Sequence, residues 1–431
     1  MKPVPTDARK SRIKQASDAV TQLIDQDELI SLVLELSNID SPPGQEQPVS
    51  DYVFSWLERN EIEARQVGMF PDRQNVVGRL RGDGSGDSII FNAHMDTAWG
   101  PEERRWMHHP DDPVFTSGWR EGDRLYGNGV VNDKGPLACT LIALKSLRDA
   151  NIPLAGDVFV TGVCGEIGME PVDEFSAPIY LSKEVGTRYL IEHGVIGDYA
   201  LVAENSSFGI TTVEAGKAFF KLTVLGGQTR YTPYVDHSGT TADNENAIVR
   251  AAALVPRIID WARHYEHVHT YPFTYGSCIP KVNIGAVRGG QPFIPITSPE
   301  QCYLYLDVRL TPSQTAMDVQ RELLGVLADI GVPVDLECTL YRRGYEAEGA
   351  EPLIASLTDA HLEEFGEAPG GVSPGQASSW RDTNPFNELG IPSLSYGPSA
   401  GMGGRRAWTT VADLERATRV YARTAVRLSG R

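Results

Sequence analysis

The chain has 431 residues, 41% hydrophobic and 22% charged, the balance of a water-soluble globular protein and enough length for two domains. Its formal net charge of -18 speaks against nucleic acid or an anionic membrane surface as partner. Five scattered cysteines without a Cys-x-x-Cys spacing read as reduced core thiols, and neither an apolar leader in Met1 to Lys14 nor a run of roughly 18 apolar residues occurs, so a cytoplasmic protein without a signal peptide or membrane span is expected.

In chain order, residues 15–60 carry apolar positions at helical spacing, with Val20, Leu23 and Ile24 followed by Leu29, Leu32, Val33 and Leu36. Residues 75–80 and 88–91 are short strands, 135–147 a helix after a glycine-rich turn, and 157–163 and 199–202 further strands. Helices between strands predict an α/β fold with a mostly parallel sheet flanked by helices. The character changes near Val213: an alternating strand at 219–225, a Gly/Thr/Tyr-rich loop, a helix over 246–265, an alternating strand at 301–309 and an amphipathic helix over 315–330. An inserted α+β domain is therefore expected at 213–342, between catalytic segments 1–212 and 343–431.

The chemistry sits at strand ends. His94 and Asp96 close the apolar run that starts at Ile89; Asp133 lies in the glycine-rich turn from Gly127 to Gly135; Glu166 and Glu204 each follow an apolar strand. Imidazole and carboxylates at successive strand ends are how an α/β fold builds a divalent-metal site. A single His-x-Asp is more often structural, and it is the joint set that favours a metal. Around it, Trp99, Trp106 and Trp119 read as packing or a cover, His108 and His109 as surface residues, and Cys164 as buried and inert.

In order and spacing, these motifs resemble the M20 metallopeptidase and amidohydrolase family along nearly the whole chain. The resemblance implies a metal-binding α/β catalytic domain interrupted by a lid domain that dimerises. In it Asp96 would orient His94, Asp133 would bridge two metals, Gly165-Glu166-Ile167-Gly168 would replace the family's Glu-Glu-x-Gly, and Glu204 would be a first-site ligand. Ser395-Tyr396-Gly397-Pro398 looks like the family's last strand end, and His237 fits the lid histidine that reaches a partner's active site.

Two departures stand out. The family's general base falls on Gly165, and no histidine follows Pro398, the last in the chain being His361. His94, Asp133 and Glu204 remain for one divalent metal per chain (Mn, Fe or Zn), while Asp133 and Glu166 alone would hold a second weakly. Glu166 would then be free to take the proton of a metal-activated water. A one-metal branch of the family, acting on 5-nitroanthranilate, combines these traits. Its resemblance implies an aminohydrolase acting on a small anionic aromatic substrate, with Arg288, Arg309, Arg230, Tyr231 and Phe293 of the lid, or Arg405 and Arg406, as binding residues. The alternatives are an M20-type amidase, deacylase or carboxypeptidase, and an inactive homologue with a binding role.

Overall fold

The computed structural model describes residues 7–403 and 406–430. The chain divides into two units. The first runs to Thr212 and resumes as Ala347–Val372 and from Arg381; the second comprises Val213–Glu346 and Ser373–Trp380. The inserted unit thus extends past the expected 342, because Tyr345–Glu346 pairs antiparallel with Val213–Glu214.

A six-stranded sheet centres the first unit. Its order is Glu63–Phe70, Arg73–Leu80, Val158–Val163, Ile89–His94, Tyr199–Val202, Ser393–Ser395. The last four strands are parallel; the first two join antiparallel. Ile89–His94 and Val158–Val163 are buried at every position, which explains their unbroken apolar runs. Helix Lys134–Asp149 and the C-terminal helix Val411–Ser429 pack against each other, and Tyr421 meets Phe91 of the central strand at 5.7 Å between ring centres. Thr410 starts the C-terminal helix by accepting a hydrogen bond from the Asp413 amide. A small antiparallel sheet, Gly401–Gly403, Arg406–Thr410, Arg124–Gly127 and Gly118–Glu121, lies outside the main one.

The second unit is an antiparallel sheet in the order Val282–Gly289, Gln301–Leu310, Gly216–Leu225, Val334–Arg342. Residues alternate between buried and half-buried along Gln301–Leu310, as a strand with one covered face requires. Helices Ala247–Val268 and Ala316–Ala328 pack on this sheet, and Phe220, Leu222, Leu304, Leu306, Trp261 and Tyr265 form the core between them. Asn246 caps the first helix; Thr315 and Asp318 form a reciprocal capping box on the second.

Candidate active site

Four of the predicted site residues lie at the carboxyl edge of the parallel strands, where an open α/β sheet places its ligands. His94 is the last residue of its strand and is 1% exposed. Its Nδ1 donates to the Asp96 carbonyl at 2.9 Å and lies 3.6 Å from Asp96 Oδ1. The Asp96 carboxylate accepts from the amides of Glu166 (3.1 Å) and Ile167 (2.7 Å). Asp96 therefore ties His94 to the turn that carries Glu166. On the other side of the ring, Nε2 lies 3.2 Å from Asn132 Oδ1 and 3.8 Å from Glu166 Oε2.

One donor atom each from His94, Glu166 and Glu204 lie within 4.8 Å of one another. Asp133, fully buried ahead of helix Lys134–Asp149, accepts from the His94 amide through Oδ2 at 3.2 Å. Asp133 Oδ1 and Glu204 Oε1 are buried without a hydrogen-bond partner. Bare buried carboxylate oxygens are costly. One imidazole with oxygen donors on several sides is a fitting set for a divalent cation. The donor atoms that converge are those of His94, Glu166 and Glu204, while Asp133, also expected as a ligand, is placed beside them by its bond to the His94 amide.

The electrostatics follow from crowding. Burial works against a charged His94, but Asp133, Asp96 and Glu166 outweigh it and hold its pKa well above the usual value. Burial, with repulsion from Glu204 and Glu166, pushes Asp133 well up. Burial also raises Glu204 to about 7, with Glu166 adding and Arg381 opposing. Glu166 is the opposite case: burial would raise it, but Lys183 and His94 hold it below the ordinary carboxylate range. In the metal-free protein the group therefore retains protons that an incoming ion must displace.

Three charged side chains in this group carry no recognisable motif. Lys183 Nζ lies 2.7 Å from Glu166 Oε1. Arg381 Nε lies 2.8 Å from Glu204 Oε2. Asp382, raised to about 6 by burial and Glu166, accepts from Asn92 and Thr187. A cavity of about 290 Å³ adjoins Asn132 and is walled by Trp99, Val114, Phe115, Asn128 and Val131. Trp99 thus takes part in a pocket wall; Trp106 is almost fully exposed, and Trp119 stacks on Tyr126.

The other expected binding residues belong to the second unit. Arg230 pairs with Glu245 at 2.5 Å, and Arg309 with Asp307 of its own strand at 2.9 Å. Arg288 lies on strand Val282–Gly289, while Tyr231, His237 and Phe293 are exposed loop residues. Arg406 covers the Trp119 ring at 5.5 Å; Arg405 lies outside the described residues. All five cysteines are unpaired, and burial holds the Cys164 thiol well above its ordinary pKa, in keeping with an inert thiol. No helix among the described residues is long and apolar enough to cross a membrane.

An imidazole and carboxylates gathered at parallel strand ends, two of their oxygens buried without a hydrogen-bond partner, define a metal-dependent hydrolase built on an α/β domain. The model of peptidase family M20/M25/M40 matches residues 90–427, and the chain belongs to that family, whose members here cleave C–N bonds. It is similar to the N-formyl-4-amino-5-aminomethyl-2-methylpyrimidine deformylase of Bacillus subtilis (strain 168), with 26% identity over 400 residues that cover 86% of this chain and 87% of the relative. Among solved structures, human carnosine dipeptidase 1 superposes with a TM-score of 0.68 at 16% identity, covering 99% of both chains. A dinuclear metal-binding M20 peptidase of Bacillus subtilis superposes with a TM-score of 0.58 at 17% identity, covering 93% of this chain and 97% of its own. These two share the fold.

Proposed function

We propose that the protein hydrolyses the amide bond of a small N-acylated amine, with a short acyl group such as formyl, using one divalent ion per chain. The observation that carries this reading is the convergence of His94, Glu166 and Glu204 within 4.8 Å, beside a cavity of about 290 Å³ walled by Trp99 and Phe115. A pocket of that size with aromatic walls suits a flat ring. The deformylase relative, similar over most of both chains, supports a short acyl group on a heteroaromatic amine.

His94, Asp133 and Glu204 would hold the ion, with Mn, Fe and Zn all compatible with one imidazole and two carboxylates. When bound, the ion supplies Lewis-acid polarisation of the amide carbonyl and acidifies water. Glu166 presents Oε2 toward the group and would accept the proton of the attacking water; Asp96 fixes the turn that aims it. We further propose a cytoplasmic homodimer formed through the second unit, with His237 donating a hydrogen bond in the partner's site.

A second reading, displacement of the amine of an activated aromatic ring such as 5-nitroanthranilate, is favoured by one feature: Gly165, a residue without a side chain, falls where the resemblance implies the family's base. In that reading the lid arginines Arg288 and Arg309 would bind the carboxylate. The two are separated by product. Metal-reconstituted protein is incubated with the N-formyl aminomethylpyrimidine, a panel of N-acyl amino acids, and 5-nitroanthranilate. Release of formate or another short acid is expected. Ammonia from nitroanthranilate with no amide cleavage would replace the proposal by the second reading. No product from any of them would favour a binding role.

A further inference from the structure

We propose that Lys183 is a resident cation of the active site: its ammonium group occupies the side of Glu166 that a second divalent ion would need, and so limits the chain to one ion. This rests on the reading above that His94, Asp133 and Glu204 hold an ion. Glu166 is divided between two neighbours. Its Oε1 accepts from Lys183 Nζ at 2.7 Å, and its Oε2 faces His94 Nε2 at 3.8 Å; both side chains of the ion pair are at least nine-tenths buried. Glu204 is arranged in the same way. Arg381 takes Oε2, and Oε1 is buried without a hydrogen-bond partner. Each carboxylate thus spends one oxygen on a fixed organic cation, which leaves Glu204 Oε1 for the ion and Glu166 Oε2 on the His94 side.

The backbone is built to put Lys183 there. Lys183 has φ 50° and ψ -47°, a conformation that a residue with a side chain adopts only when its surroundings enforce it. Its amide donates to the Gly165 carbonyl at 2.7 Å. Just upstream, Arg73 Nη1 donates to the carbonyls of Pro178 (2.9 Å) and Leu181 (2.6 Å). Arg73 is itself fixed by a two-pronged buried pair with Glu46, at 2.9 and 2.7 Å. Ser182 donates to Glu170 at 3.0 Å.

Gly165 makes room for this segment. A Cβ at position 165 would stand 2.8 Å from Val185 Cγ2 and 3.2 Å from the Ser182 Cα. The segment that delivers Lys183 therefore fills space that a side chain at 165 would occupy. The lack of a side chain at 165 and the presence of an ammonium at 183 are two sides of one packing arrangement. An ammonium within hydrogen-bond distance of Glu166 repels a second dication and takes one of its few donors.

The test is metal stoichiometry. Metal-free protein is titrated with Zn²⁺ by calorimetry, and the metal retained after desalting is counted by elemental analysis, for wild type, Lys183→Arg and Lys183→Gln. Wild type and Lys183→Arg should take up one equivalent, and Lys183→Gln should take up a second. Two equivalents in wild type, or a single equivalent in a folded Lys183→Gln with the wild-type affinity, would overturn the proposal. If Lys183→Gln does not fold, wild type under a hundredfold metal excess decides between one equivalent and two. Failure of wild type to bind any ion would instead remove the metal reading on which the proposal rests.

Discussion

The Lys183 amide donates to the carbonyl of Gly165 at 2.7 Å, so the glycine next to Glu166 also anchors the lysine that pairs with Glu166. A mutation at either position should be felt at the other.

Introducing a carboxylate at 165 should therefore harm the protein. Gly165 has φ 66°, and a Cβ there meets Val185 and Ser182. We expect Gly165→Glu to lose about 1–3 kcal/mol from backbone strain, with overpacking adding to the loss. Chemical denaturation and turnover measure this together. Unchanged stability with faster turnover would mean that the 182–185 segment yields easily.

Glu166→Gln should lower turnover by about 10²- to 10⁴-fold while leaving metal content unchanged, because the amide cannot take up a proton. Elemental analysis beside the assay distinguishes the roles. A variant that loses its metal would make Glu166 a ligand, as its place within 4.8 Å of His94 and Glu204 permits.

Metal affinity should fall as the medium is acidified. Burial raises Glu204 from 4.5 to about 7, and the surrounding carboxylates hold His94 protonated well above its usual range. An ion must displace these protons, so affinity should drop about tenfold per pH unit for each proton released. In the metal-free protein the raised Glu204 contributes stability that is fully present below pH 4.5 and lost as pH rises through about 7. Thermal melts across this window should show the metal-free form losing stability and the metal-loaded form gaining on it. A pH-independent affinity would contradict the account.

The motifs were legible because each candidate group lies at or just past the end of a buried strand or in a glycine-rich turn. Ile89–His94 is apolar up to the ligand itself, and a parallel strand covered on both faces must read that way. Helices 135–147 and 246–265 were equally plain and emerge as Lys134–Asp149 and Ala247–Val268. Glu63–Phe70 was not, because no residue of this edge strand is fully buried and it carries little apolar alternation. Lys183 and Arg381 were also hidden. Their partners lie 17 and 177 positions away, and a lone cation in a loop carries no periodic signal. The lid arginines were chosen for charge alone, but Arg230 and Arg309 already pair with local carboxylates.

The edge strand Val282–Gly289 of the second unit pairs on one side only among the described residues. Most of Val282–Gly289 is exposed; Val287 is 58% exposed, and Phe293 is 82% exposed in the loop that follows. An open edge with apolar residues is a pairing surface. We expect a homodimer by light scattering, and expect Val287→Lys to shift it toward monomer. A monomer of full activity at assay concentration would rule out a role for His237 of a partner.

The proposed centre is a single ion held by His94, Asp133 and Glu204, with Lys183 where a second would go. Anomalous diffraction from crystals grown with excess Mn²⁺ tests this most directly. One peak within bonding distance of His94, Asp133 and Glu204, and none beside Lys183, is the predicted result. Two peaks bridged by Asp133, with Lys183 turned away from Glu166, would contradict it.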